Sequence, residues 1–124
     1  MSVSGASSRI QLEAGNWEGV TSGSHRFGGV EFMLGSREIG HVHGDSLVDV
    51  PLPKRVRDEL VTSGQAEPHR VLPQSGWVSV HLKDPGDVDR AIWILRRSYE
   101  IAREQIERRS GFRDPVESLQ ADDQ

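Results

Sequence analysis

Apolar and polar positions alternate with period two in several short runs of this chain. That is the signature of half-buried β-strands. In "GGVEFMLG", Val30, Phe32 and Leu34 fall on one face and Glu31 and Met33 on the other, with glycines bracketing the run. "REIGHVHG" follows after a short turn and predicts a hairpin. "SLVDVPL" reads as a third extended piece, closed by Pro51 and Pro53. "GWVSVHL" is a strong strand, with Val78, Val80 and Leu82 on one face and Trp77, Ser79 and His81 on the other. "AEPHRVL" reads as a weaker extended segment.

Two stretches change period. "PKRVRDELVTSG" predicts a short helix: Pro53 suits the first helical position, Val56 and Leu60 are spaced i, i+4, and Gly64 suits the stop. The long run 84–109 opens with Asp84, Pro85 and Asp87, all suited to a helix N-terminus. Val88, Ile92, Leu95, Tyr99, Ala102 and Ile106 then form one apolar stripe, and Trp93 lies on the opposite side. The order of strands, short helix, strand and long helix predicts an α+β fold. A mainly antiparallel sheet would carry the long C-terminal helix on one face, with the short helix between strands. The domain boundaries read as a disordered N-terminus over 1–10, a single domain over 11–109 and a flexible tail over 110–124.

With the helix on one sheet face, the other face needs an occupant. It would carry Trp77, Ser79 and His81. From the second strand it takes either Ile39, His41 and His43 or Glu38, Gly40 and Val42. The first set is preferred because Gly40 and Val42 suit close helix packing. The candidate ligand site is then His41, His43, Trp77, Ser79 and His81, with Glu31 and Arg37 nearby. His41 and His43 point the same way along a strand, and His81 would supply a third metal ligand. The competing reading is a half-buried face whose histidines bond to neighbours or water. Asp45 and Asp49 read first as turn and strand-end residues, and His25 with Arg26 as an ordinary hairpin approach. No catalytic residue is assigned. Trp93 predicts an interface, with a homodimer through the long helix or another protein as its partner.

Composition narrows the classes. The chain is 124 residues long with 35% hydrophobic residues and no cysteine, so disulfides, thiolate catalysis and zinc–cysteine sites are excluded. No apolar run approaches the ~18 residues of a membrane span. No charged-then-apolar leader is present, so the expected location is the cytoplasm. The net charge of −4 weighs against nucleic acid, although Lys54, Arg55, Arg57 and Arg70 would form the contact surface of such a binder. No flavin or nucleotide fingerprint occurs, which leaves a divalent metal as the cofactor to consider.

The stretches from "HRFGGVEF" to "SGWVSVHL", together with "AIWILRRSYE", resemble the small luciferase domain family of bacterial and fungal proteins. The resemblance spans about residues 17–101, and "REIGHVHGD" and "SGWVSV" are its most specific parts. A looser similarity links Trp77, Ser98 and Tyr99 to the YjbR-like double-wing fold. The resemblance implies the fold and a recurring site at "GHVHGD", but no reaction. Flavin-dependent luciferases are barrels of roughly 250 residues, which this chain is too short to build. Three readings follow: a binding or accessory domain, a metal-dependent enzyme using His41, His43 and His81, and a nucleic-acid binder.

Overall fold

The structure is a computed structural model that describes residues 2–25 and 28–111. Its elements, in chain order, are α1 (Ala6–Gly15), β1 (Val20–Ser24), β2 (Val30–Leu34), β3 (Arg37–His43), β4 (Leu47–Pro51), α2 (Lys54–Thr62), β5 (Glu67–Pro68), β6 (Trp77–His81) and α3 (Pro85–Gly111). The six strands form one antiparallel sheet in the order β1-β2-β3-β4-β6-β5. Helices α1 and α3 cover one face, and α2 packs beside β5 and β6. The fold is α+β, as the patterns predict. Of "AEPHRVL", only Glu67 and Pro68 join the sheet. No described helix is long and apolar enough to cross a membrane.

The covered face follows the predicted alternation. Phe32, Val42, Val48, Val50, Val78 and Val80 turn to the helices and are buried. From α3 they meet Val88, Ala91, Ile94, Leu95, Tyr99 and Ala102. That stripe differs from the expected one: Ile92 is only partly buried and Ile106 is exposed. A flat sheet face needs a stripe wider than one step of 4 and 3, so Ala91 and Ile94 join it. Gly40 lets α3 approach closely, since a Cβ there would sit 2.4 Å from Leu95 Cδ1. Trp93 is 49% exposed.

The N-terminus departs from expectation, because residues 6–10 open α1 instead of a disordered segment. Ala6, Ile10 and Ala14 are buried against the core. Its start is held from a distance: the Asp45 carboxylate accepts the Gly5 N–H at 3.3 Å and the Ser7 N–H at 2.8 Å. No residue of the helix itself supplies the cap, so local reading misses it. Trp17 then packs its ring 5.4 Å from that of Tyr99, whose hydroxyl donates to the Glu18 carbonyl at 2.7 Å. Of the tail expected over 110–124, residues 112–124 lie outside the described residues, and Ser110 and Gly111 belong to α3.

Candidate functional site

The open sheet face is built by three adjacent strands. A β-bulge sets its composition. Phe32 pairs with Gly40 and Met33 with Glu38, so Ile39 is the extra residue. Ile39 turns into the core, and Glu38 takes its place on the open face beside His41. The expected set of Ile39, His41 and His43 is thus corrected to Glu38, His41 and His43. Next, β4 places Asp49 opposite His41 on one side and Ser79 on the other. Val48 and Val50 belong to the core, so Asp49 must face the histidines.

Asp49 is the centre of the site. Its Oδ2 lies 3.2 Å from His41 Nε2, 3.3 Å from His43 Nε2 and 3.5 Å from His69 Nε2. Its Oδ1 accepts the Ser79 hydroxyl at 2.6 Å. Behind His41, Glu38 Oε2 lies 2.6 Å from Nδ1. His25 stacks on His41 with ring centroids 4.1 Å apart, and Trp77 lies 5.3 Å from it. His41 and Asp49 are buried in the lining of a hollow of about 510 Å³, whose wall includes Trp77 with exposed Val71 and Leu72, and Ser79 is buried beside Asp49. Four of the chain's five histidines line this hollow.

The electrostatics follow from the contacts. Burial opposes charge on His41, but hydrogen bonds to Asp49 and Glu38 outweigh it and push its pKa up to about 9. Burial and the neighbouring His41 charge hold His43 below its ordinary value. Burial works against the Asp49 carboxylate too, yet the hydrogen bonds from His41 and Ser79 keep its pKa below the usual range. His69 is fixed differently. Its Nδ1 accepts the backbone N–H groups of Val71 and Leu72 at 3.1 and 3.2 Å. A nitrogen that accepts carries no proton, so the ring proton sits on Nε2 and points at Asp49.

The remaining predicted residues are scattered. His81 is separated from His43 by Leu47 on the intervening β4. Two strand spacings come to roughly 9–10 Å, too far for a shared ion. It faces Glu67 instead, 3.3 Å away. Arg37 bonds Gln105 at the other end of the sheet. Glu31 pairs with His41 in the register but does not line the hollow. Of the basic cluster, Arg57 is engaged by Asp58 at 2.8 Å and the Pro73 carbonyl at 2.5 Å, and Lys54 lies 3.6 Å from Asp58. Glu38, Asp49, His69 and His25 were not among the expected ligands. The alternation in "LVDVP" was a readable signal for Asp49, whereas His25 and His69 lie on loops with no periodic signal. Arg26 lies outside the described residues.

A family model described as Luciferase domain matches residues 36–98, a little over half of the chain. The chain belongs to the Luciferase domain family. That match begins beside the bulge, contains β3, β4 and β6 and therefore takes in Glu38, His41, His43, Asp49, His69, Trp77 and Ser79 of this luciferase-domain protein. Among curated proteins and among solved structures, none matches. The looser YjbR-like resemblance gains no support. In this luciferase-domain chain, Ser98 donates to the Pro51 carbonyl at 3.0 Å and Tyr99 packs in the core, so both serve the fold.

Proposed function

We propose that this domain is a binding module whose site is the histidine hollow and whose first ligand is a divalent transition-metal ion. The ion would be held by His41 Nε2, His43 Nε2 and Asp49 Oδ2. The observation that carries this reading is the setting of His41 between two carboxylates. With its Nδ1–H spent on Glu38, a neutral ring turns a lone pair toward Asp49 Oδ2, and two lone pairs repel. The position needs positive charge there, supplied by a proton or by a metal ion.

Geometry and donor chemistry both support the ion. Ligand atoms on one tetrahedral ion with bonds of ~2.0–2.1 Å lie about 3.3–3.4 Å apart. The two imidazole nitrogens are 3.2 and 3.3 Å from Asp49 Oδ2. Glu38 behind His41, with Ser79 and His69 on Asp49, are the outer partners that orient metal ligands. His69 itself is not a ligand, because its Nε2 carries the proton. Two imidazoles and one carboxylate would leave coordination positions for further ligands, and all three residues line the hollow. Structural zinc sites close such positions and reactive ones keep them open. This supports an exchangeable or reactive ion over a purely structural one, with Asp49 in the place first given to His81.

The test uses the chain without a histidine tag. After dialysis against zinc or cobalt, elemental analysis should find one ion per chain, and cobalt should give visible absorption bands. His43→Ala should abolish both. A wild type that retains no metal sinks the proposal. A His43→Ala variant that retains a full equivalent places the ion elsewhere.

A further inference from the structure

His81 has no place in the hollow, yet it stands in a second concave site. A recess of about 270 Å³ is lined by Ser46, Leu47, Arg70, His81 and Lys83. The recess is locally positive in a chain whose net charge is −4. Arg9, Arg57, Arg90, Arg96, Arg103 and Arg108 each lie within ion-pair distance of a carboxylate. Among the described residues, no carboxylate pairs with the Arg70 guanidinium or the Lys83 ammonium, and none lines the recess. Glu67 reaches this corner from outside the lining, through His81. Two cations around one small space repel each other, and an anion in that space relieves the repulsion.

The recess is also held in shape. Leu82 N–H donates to the Ser46 carbonyl at 2.8 Å, which pins the β3–β4 turn to the end of β6. The Ser46 hydroxyl donates to the His43 carbonyl at 3.3 Å, which ties the turn back on itself. Arg70 lines both the recess and the histidine hollow. His43, Leu47 and His81 stand in one row across three strands.

We propose that this recess binds the phosphate group of a small organic phosphate, through Arg70, Lys83 and His81. A dianion matches two fixed cations, whereas a carboxylate would balance one and leave the other unpaired. With the phosphate seated there, Arg70 directs the rest of the molecule toward His43. That direction rests on the metal reading of the hollow, but the phosphate recess does not.

The experiment is calorimetric titration of the full, metal-free chain at constant ionic strength, with inorganic phosphate and with glycerol phosphate. Both should bind saturably, one per chain, and acetate should not. Arg70→Gln and Lys83→Gln should each weaken binding roughly tenfold or more, the worth of one hydrogen bond to a charged group. Both side chains are exposed, so circular dichroism should be unchanged. Arg55→Gln removes an exposed arginine elsewhere and should have no effect. Phosphate that binds no better than chloride overturns the proposal, as does an equal loss in Arg55→Gln. Binding of inorganic phosphate alone overturns the organic ligand and leaves a free-phosphate site. Because no metal is present, success or failure here is independent of whether the hollow takes zinc.

Discussion

The two faces of this sheet are made by the same strands, residue about residue, and they obey different rules. On the face toward α1 and α3, Phe32, Val42, Val48, Val50, Val78 and Val80 are at most 1% exposed. Each needs only the right volume and a dry neighbour. On the other face, His41, Asp49 and Ser79 are at most 7% exposed. There a buried polar group is tolerated only if each lone pair and proton finds a partner. The apolar face is tied to stability, and the polar face specifies which atoms meet.

Core truncation should give the largest effect and isolate the first face. Phe32→Ala should destabilise the domain by about 3–5 kcal/mol in urea unfolding, through lost burial and the cavity left behind. Whatever fraction stays folded should keep its metal affinity. If that fraction loses affinity as well, the two faces are not separable.

Next comes the centre of the second face. Asp49→Ala leaves His41 charged and buried against a single carboxylate and strips Ser79 of its acceptor. Breaking a buried pair in this way costs about 3 kcal/mol or more, and metal uptake should vanish. His43→Ala sharpens the contrast. His43 is more exposed than His41, and burial already disfavours its charge. Its loss should change stability by about 1 kcal/mol or less while still abolishing metal uptake. A large stability loss in His43→Ala would make the histidine a structural prop.

A smaller effect is expected at the helix that covers the first face. Asp87 accepts the backbone N–H groups of Lys83 and Asp84 at 2.8 and 3.0 Å, and Arg90 at 2.8 Å. Burial opposes its charge, but these donors hold its pKa below the ordinary value of 3.8. A carboxyl depressed in the folded state contributes stability above its unfolded pKa and loses it as the pH falls through the folded one. Asp87→Ala should therefore cost about 1 kcal/mol at neutral pH, and the gap should close as the pH is lowered below about 4. A gap independent of pH would remove the charge from the account.

The smallest effect should be at Trp93, which belongs to neither face. Trp93→Glu should alter unfolding stability by only about 0.5 kcal/mol. Sedimentation of wild type and variant then decides the proposed homodimer: a change from dimer to monomer supports it, and two identical monomers dismiss it.

Much of the covered face was legible because alternation and helical stripes are local. The strand carrying Phe32, the strand carrying Val78 and Val80, and the long helix all follow from their own residues, and Gly40 was readable as a point of close helix approach. The site was half legible. His41 and His43 share a face by periodicity alone, and Trp77 and Ser79 join them. Three things were hidden because they depend on how segments pair, which no single run of residues states. The bulge at Ile39 exchanges Ile39 for Glu38. The insertion of β4 between β3 and β6 brings in Asp49 and moves His81 out of reach. The capture of α1 by Asp45 gives a helix whose start carries no cap of its own.

The docking of α1 on α3 bears on how the chain is made. Arg9 pairs with Asp89, and the Glu18 carbonyl takes the Tyr99 hydroxyl, contacts that span 80 and 81 positions of sequence. At ~5–20 residues per second of synthesis, α1 leaves the ribosome about 4–16 s before the helix it packs on exists. Until then α1 has only β1–β3 to lie against, and the part of the inner face that α3 covers is bare. This domain therefore completes its core only when α3 is delivered, and in the interval it depends on holding its valine-rich strands apart from those of other nascent chains.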